Sequence, residues 1–156
     1  MLVYWIKRSN RARLGGASRL DISDLGFLLG TNLAGIVCLE QDTHSRALAE
    51  VLGASWLYVP LISGIPPTNA ELEQIVKFVY DCEKTRSRAP ILFHSAMGLD
   101  RPGTILAALL IILDGLPPGS AIKQIRAVNP LALRKQTDYD FISTFKYGFI
   151  NKRNKH

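Results

Sequence analysis

The sequence predicts a single α/β domain in which a central, mainly parallel sheet carries helices on both faces. Its 156 residues suffice for one domain with a sizeable core, and 47% hydrophobic and 21% charged residues are ordinary globular values. Short apolar runs that indicate buried strands alternate along the chain with segments of helical periodicity. This alternation, without an internal repeat or a linker, predicts one domain over residues 1–156.

The first half of the chain predicts three strands and two helices. Leu2 to Ile6 is a strand, and a basic loop that ends with residues 14–18 follows it. Asp21 provides N-cap chemistry for a short helix to Leu29. The remaining elements are a strand at 34–39, a helix at 43–52 that stops at Gly53, a strand at 55–59 and a proline-rich loop at 60–68.

The second half predicts one more strand and four helices. Asn69 is the expected cap of a helix to about Glu83, whose apolar residues recur at three- and four-residue spacing. A strand at 91–93 precedes a helix that starts after Arg101. Breaks at 117–119 and at Pro130 separate a helix at 121–128 from a last helix at about 137–150.

The cysteines, the apolar stretches and the histidines indicate the cellular compartment and the cofactors. Cys38 and Cys82 lie in apolar segments and are expected to be core thiols in a reducing cytoplasm. We expect no signal peptide, and the apolar stretch at 105–113 is too short to span a membrane. The histidines are far apart, so we expect neither a metal nor another cofactor.

The chain carries a net charge of +6, with basic residues concentrated near its start and in the tail at 152–156. This excess suits an anionic substrate, although solvated chain ends explain the tail equally well. Nucleic-acid binding stays a minor alternative because no recognition motif is present.

The segment from His94 to Gly103 is the most informative part of the chain. It connects an apolar run at 90–93 to another at 104–113, which predicts a buried strand, a tight loop and a helix. Backbone N–H groups and the positive end of the helix dipole favour an anion at such a loop. Arg101 adds a planar guanidinium that fits phosphate oxygens. We therefore expect phosphate, sulfate or another oxyanion on residues 96–101.

The spacing of His94 and Arg101 resembles the His-Cys-(five residues)-Arg signature of cysteine-dependent protein tyrosine and dual-specificity phosphatases. The resemblance covers nearly the whole chain and is greatest to compact archaeal-type members. It implies hydrolysis of phosphorylated protein, with phosphotyrosine favoured, through a phosphocysteine intermediate. It also implies that His94 packs beneath the loop, and that the loop residues that bind substrate are Ala96, Met97, Gly98 and Leu99.

Ser95 occupies the position of the nucleophilic cysteine. A hydroxyl has no state near neutral pH comparable to a thiolate, so we expect this chain to bind phosphate and to hydrolyse almost none. Two interpretations follow. Ser95 either replaces a native cysteine to trap substrate, which we favour, or belongs to a natural pseudophosphatase that binds phosphorylated partners.

Other segments also resemble the family, with departures. Residues 59–62 are similar to its acid loop, but the stretch through Ser63 to residue 67 contains no carboxylate. Asp100 is the candidate general acid in its place, and the alternative is that it pairs with an arginine or caps the next helix. Gln136 is similar to the family glutamine that orients the hydrolytic water. Pro102 replaces the usual Ser or Thr after the arginine.

Other substrates stay open. A phosphoinositide phosphatase shares an aspartate at the position of Asp100, but the loop interior has no lysine to neutralise further phosphates. The basic N-terminal segment leaves nucleotide or RNA phosphatases possible. Asp138 and Asp140 lie close to Gln136 in the sequence, where they either tune the site or complement the helix dipole.

Overall fold

A computed structural model describes residues 1–8, 11–96 and 100–146. Its strands form one sheet in the order β1-β2-β5-β3-β4, in which β1 and β2 are antiparallel and the other pairs are parallel. The expectation of a mainly parallel sheet is confirmed. The strands are β1 (Val3–Ile6), β2 (Leu14–Ala17), β3 (Gly35–Cys38), β4 (Ser55–Tyr58) and β5 (Ile91–His94).

Helices cover both faces of this sheet. A 3₁₀ turn at Ile22–Asp24 precedes the first helix. The helices in the described part of the chain are α1 (Leu25–Thr31), α2 (Ser45–Leu52), α3 (Asn69–Thr85), α4 (Arg101–Asp114), α5 (Pro118–Val128) and α6 (Gln136–Ser143). One apolar core joins the sheet to α3, α4, α5 and α6, and a second joins it to α1 and α2. None of these described helices is both long and apolar enough to cross a membrane.

The central strand β5 supplies both cores. Ile91 and Phe93 pack into the core of α3 to α6, and Leu92 between them packs into the core of α1 and α2. This alternation follows from the strand geometry, which turns successive side chains to opposite faces. Helix α4 runs directly behind β5 and is buried from Pro102 to Leu113, so its starting point is fixed by packing along its length.

Residues 14–17 form β2, so the expectation of a loop there is wrong. β2 lies between β1 and β5 and pairs with both. Glycine is generally unfavourable in strands, so the pair Gly15 and Gly16 indicates a loop. Here the absence of side chains is required, because a Cβ on Gly15 would lie 2.5 Å from the Trp5 ring and one on Gly16 would lie 2.3 Å from the Tyr4 ring.

Several predicted boundaries are also wrong. The cap of α3 is Thr68 rather than Asn69, because the Thr68 hydroxyl accepts from the Glu71 amide in a capping box. Helix α5 starts at Pro118, a residue that the first helical turn tolerates.

Helix α6 ends at Ser143 rather than near residue 150. The Thr144 hydroxyl bonds back to the Asp140 carbonyl, and Phe145 packs edge-to-face against Phe141 at 5.3 Å. These contacts end the helix within the described residues, and the predicted continuation from 147 lies outside them.

The packing of β2 predicts opposite effects for two glycine-to-alanine substitutions. Gly16→Ala pushes a methyl group into the buried Tyr4 ring and is expected to destabilise the fold by about 1–3 kcal/mol. Gly26→Ala, in exposed α1 with nothing within 4 Å, is expected to stabilise it by about 0.5–1 kcal/mol. Equilibrium denaturation measures both, and an unchanged Gly16→Ala protein would mean that the Tyr4 ring moves aside freely.

Candidate active site

The carboxyl ends of β2, β5 and β3 meet at one edge of the sheet. Ser95 follows β5 there, and its amide donates to the Ala17 carbonyl at the end of β2 (3.1 Å). The next residue is also held, because the Arg19 amide donates to the Ala96 carbonyl (3.4 Å). Ser95 is 1% exposed. The sheet therefore fixes the position from which the phosphate loop begins.

His94, the last residue of β5, lies buried beneath Ser95. Its Nε2 lies 2.7 Å from the Ser45 hydroxyl at the start of α2, and that hydroxyl also accepts from the Trp56 indole N–H (2.9 Å). Burial lowers the pKa of His94 to about 4, although the nearby Asp42 charge opposes this. The imidazole is therefore neutral at physiological pH and works as a packed support.

Glu40 is a second buried polar residue, next to His94. Its Oε1 accepts from the Arg19 guanidinium (3.1 Å), and its Oε2 lies 4.0 Å from His94 Nδ1. Neither Oε2 nor Nδ1 has a hydrogen-bond partner among the described residues. We assign the imidazole proton to Nδ1, because Glu40 is a carboxylate acceptor on that side and Ser45 can donate to Nε2.

Helix α4 begins at Arg101, after the loop. Arg101 is the first residue of this helix, half-buried, and its Nη1 donates to the Leu61 carbonyl (3.1 Å) in the connection between β4 and α3. Thr104, one turn further, donates its hydroxyl to the Asp100 carbonyl (2.9 Å). Gly103 allows close packing there, because a Cβ on it would lie 2.9 Å from Ala132 Cβ.

Asp100 pairs with a lysine. Its Oδ2 lies 3.2 Å from Lys135 Nζ, and the same ammonium donates to the Ser63 hydroxyl. The alternatives for Asp100 were an arginine partner or a helix cap. Its side chain forms no capping hydrogen bond to α4, and the cation within ion-pair distance is Lys135.

Helix α6 directs Asp138, rather than Gln136, toward the loop. The Gln136 amide donates to Asp140 Oδ1 (2.7 Å) on the exposed side of α6. Asp138 is 4% exposed, and its Oδ2 has no hydrogen-bond partner in the described part of the chain. Burial raises the pKa of Asp138, the Asp100 charge raises it further, and Lys135 and a hydrogen bond to Thr104 oppose the shift.

The structure brings most of the predicted site residues to one edge of the sheet. His94, Ser95, Ala96, Asp100 and Arg101 lie together there. The predicted binding residues Met97, Gly98 and Leu99 lie outside the described residues. The roles of all these residues stay predictions.

Sequence reasoning missed Glu40, Ser45 and Lys135. Glu40 had a usable signal, because a carboxylate that directly follows a buried parallel strand lies at the edge where ligands bind. Ser45 and Lys135 had none, since each is an ordinary polar residue at the start of a helix.

The charged groups around the loop suit a bound anion. Arg101 and Lys135 supply positive charge beside the loop, and the start of α4 adds the positive end of its dipole. Among the described side chains, no group of three or more His, Cys, Asp or Glu residues could hold a metal ion. Beside Arg19, a groove of about 480 Å³ with an apolar lining of Leu20, Ile22, Leu48 and Val51 opens toward solvent.

Comparison with known proteins links this geometry to phosphatases. Residues 15–115 match the family Tc-R-P, described as "Polymorphic toxin system, DSP-PTPase phosphatase". The fold is similar to that of a putative protein tyrosine phosphatase from Leishmania major, with a TM-score of 0.80 and 19% identity over 94% of this chain and 100% of that one.

Two liganded structures share this fold. PTPMT1 in complex with PI(5)P has a TM-score of 0.77 at 19% identity, over 96% of this chain and 99% of that chain. A cysteine-to-serine variant of P. aeruginosa TpbA in complex with pTyr has a TM-score of 0.72 at 14% identity, over 97% and 96%. At these identities the likeness concerns the fold.

Burial of neutral His94 predicts a specific loss of stability in acid. The unfolded imidazole takes up a proton below its ordinary pKa of about 6.5, whereas the folded one resists protonation down to about 4. The contribution is complete above the unfolded pKa and is lost as the pH falls toward 4, by about 2–3 kcal/mol. Denaturation curves between pH 7 and 4.5 should therefore fall less steeply for His94→Asn than for the parent chain.

The parent chain over the same pH range is the reference for this measurement. Equal slopes for His94→Asn and the parent would show that His94 protonates in the folded state as readily as in the unfolded one.

Proposed function

We propose that this chain, which belongs to the DSP-PTPase phosphatases of polymorphic toxin systems, is one catalytic domain that hydrolyses phosphomonoesters when position 95 holds cysteine. The observation that carries the proposal is the placement of Ser95 at the end of β5 and of Arg101 at the start of α4. A phosphate bound between them would meet a nucleophile on one side and a guanidinium and a helix dipole on the other.

The proposed reaction has two steps. In the first, a thiolate at position 95 attacks phosphorus, the bond to the leaving oxygen breaks, and Asp100 gives that oxygen its proton. In the second, Asp100 takes a proton from water as the water attacks phosphorus and the P–S bond breaks, which releases phosphate. Gln136 would orient this water after its amide leaves Asp140.

As it stands, the serine chain is proposed to bind phosphate and to be essentially inactive. A serine nucleophile needs a general base, and the neighbouring imidazole of His94 is buried with Ser45 and Glu40 on its two nitrogens. TpbA offers a parallel, since its cysteine-to-serine variant was solved with phosphotyrosine. We propose that the natural compact, archaeal-type protein has cysteine here and that Ser95 makes a substrate trap. The codon in the source gene tests this.

We propose phosphotyrosine in proteins as the substrate, with dual specificity possible. The apolar groove beside Arg19 offers a surface for the aromatic ring or its neighbours in a peptide. The competing substrate class is a phosphoinositide, the ligand with which PTPMT1 was solved. A reducing cytoplasm is part of the proposal, because a catalytic thiolate has to stay unoxidised and both cysteines of this chain are free.

The central prediction is that Ser95→Cys creates phosphatase activity. The variant should release phosphate from aryl phosphates and phosphotyrosine peptides, lose this activity on thiol alkylation and be insensitive to chelators. Steady-state assays of the parent, Ser95→Cys and Ser95→Ala test it. Arg101→Lys in the cysteine background should lower the rate, because a point charge replaces a two-pronged donor.

Two outcomes would contradict this assignment. A Ser95→Cys variant that is inert toward aryl phosphates, phosphotyrosine peptides and phosphoinositides alike would favour a natural pseudophosphatase. A variant whose affinity for phosphate does not change on Arg101→Lys, measured by titration calorimetry, would remove Arg101 from the site.

Asp100 is expected to act as the general acid. In the Ser95→Cys background, Asp100→Asn should slow alkyl phosphates by about 10²- to 10⁴-fold and aryl phosphates with acidic phenols much less, because basic leaving groups need the proton most. Rates across a series of leaving groups measure this. Asp81→Asn, on the exposed side of α3 where it pairs with Lys77, is the matched control and should leave the series unchanged. An equal loss for all leaving groups would mean that Asp100 only shapes the loop.

A further inference from the structure

Lys135 joins three segments that are far apart in the sequence. Its ammonium lies 3.2 Å from Asp100 Oδ2, donates to the Ser63 hydroxyl in the β4–α3 connection, and belongs to the residue just before α6. We propose that Lys135 is a positioning residue that holds the Asp100 carboxyl at the phosphate loop and ties it to the β4–α3 connection. The proposal rests on the role of Asp100 as proton donor.

The contact with Ser63 lies where the resemblance leads one to expect a carboxylate. Without an acid on the β4–α3 connection, a proton donor on the phosphate loop has to be aligned with that connection by other means. Two cations near the loop contact the β4–α3 connection, Arg101 through the Leu61 carbonyl (3.1 Å) and Lys135 through Ser63. These two contacts keep the connection and the start of α4 in one arrangement.

Asp138 is a second carboxyl group that interacts with the charge of Lys135. It is 4% exposed and close enough to both Asp100 and Lys135 for their charges to act on it. A buried carboxyl without a partner for Oδ2 favours its neutral form, and burial raises the pKa of Asp138 accordingly. Because its pKa is raised, Asp138 competes less with Asp100 for the charge of Lys135.

Helices α4 and α5 also pack on α6, and their polar groups have to be considered as neighbours of Asp138. Helix α4 contributes the Thr104 hydroxyl, which bonds to Asp138 and to the Asp100 carbonyl. Helix α5 contributes Arg126, whose guanidinium lies over the Tyr139 ring and donates to the Leu133 carbonyl. The groups that act on the charge of Asp138 are therefore Asp100, Lys135 and Thr104.

The ion pair is partly exposed, at 43% for the Lys135 side chain and 28% for Asp100. Such pairs contribute little to folding because water screens them. A variant that lacks Lys135 should therefore fold normally. We expect the loss of Lys135 to change the orientation of Asp100. A small displacement of a catalytic group lowers the rate by up to about 10²-fold.

The test uses the full chain with Ser95→Cys. Lys135→Met should slow alkyl phosphates by about 10- to 100-fold and leave aryl phosphates with acidic phenols nearly unchanged, which is the pattern of a misplaced proton donor. Lys135→Arg should restore part of the rate. In an Asp100→Asn background, Lys135→Met should change nothing further. Lys123→Met, on the exposed side of α5, is the matched control.

A second measurement does not depend on activity. The carboxyl carbon of Asp138 can be followed by NMR during a pH titration of the present Ser95 chain. Lys135→Met should raise the pKa of Asp138, and Asp100→Asn should lower it, because each removes a charge with the opposite effect. Lys123→Met should leave it unchanged.

The outcomes separate this proposal from the one it rests on. If Asp100→Asn shows no leaving-group dependence, or Ser95→Cys is inert, the role of Asp100 is overturned and the role of Lys135 with it. If Asp100 behaves as expected but Lys135→Met slows all substrates equally, adds to Asp100→Asn, or leaves the titration of Asp138 unchanged, only the role of Lys135 is overturned.

Discussion

Strand β5 is paired on both sides, and this pairing extends past its end. The Ser95 amide reaches the Ala17 carbonyl of β2 (3.1 Å), and the Leu39 amide beyond β3 reaches the His94 carbonyl (2.9 Å). Two parallel neighbours thus hold the last residues before the phosphate loop, and α4 is held behind them along its buried length. These anchors fix Ser95 and the start of α4, between which we propose that phosphate binds.

Two buried polar side chains lie near the carboxyl ends of β3 and β5. Glu40 and His94 are almost fully buried, and the atoms they turn toward each other are 4.0 Å apart without other partners in the described chain. A core built for stability alone would place apolar side chains there. Their value is orientation, because Glu40 holds Arg19 and His94 bonds to Ser45, which binds α2 to the base of the loop.

The sequence predicts those parts of the molecule that rest on local patterns. The strand predicted at 91–93 and the helix predicted after Arg101 follow from two apolar runs around a polar one, and the structure has a strand at Ile91–His94 and a helix at Arg101–Asp114. β2 was not predicted because its two glycines indicate a loop locally. They are required by packing against the Tyr4 and Trp5 rings of β1. The rotation of α6 about its axis determines that Asp138 is buried and Gln136 exposed. A shift of one residue along a helix turns a side chain by about 100°. Lys135 meets Ser63 and Asp100 only after three distant segments have packed.

A proton donor inside a phosphate loop meets an electrostatic difficulty. Asp100 adjoins Arg101 in the sequence, so the carboxylate that remains after the proposed proton transfer lies near the place proposed for a phosphate, and like charges at short distance repel strongly in a half-buried site. Lys135 offsets this repulsion, because its ammonium lies 3.2 Å from the carboxylate. In the proposed reaction, the lysine before α6 is the cation placed to stabilise Asp100 after proton transfer.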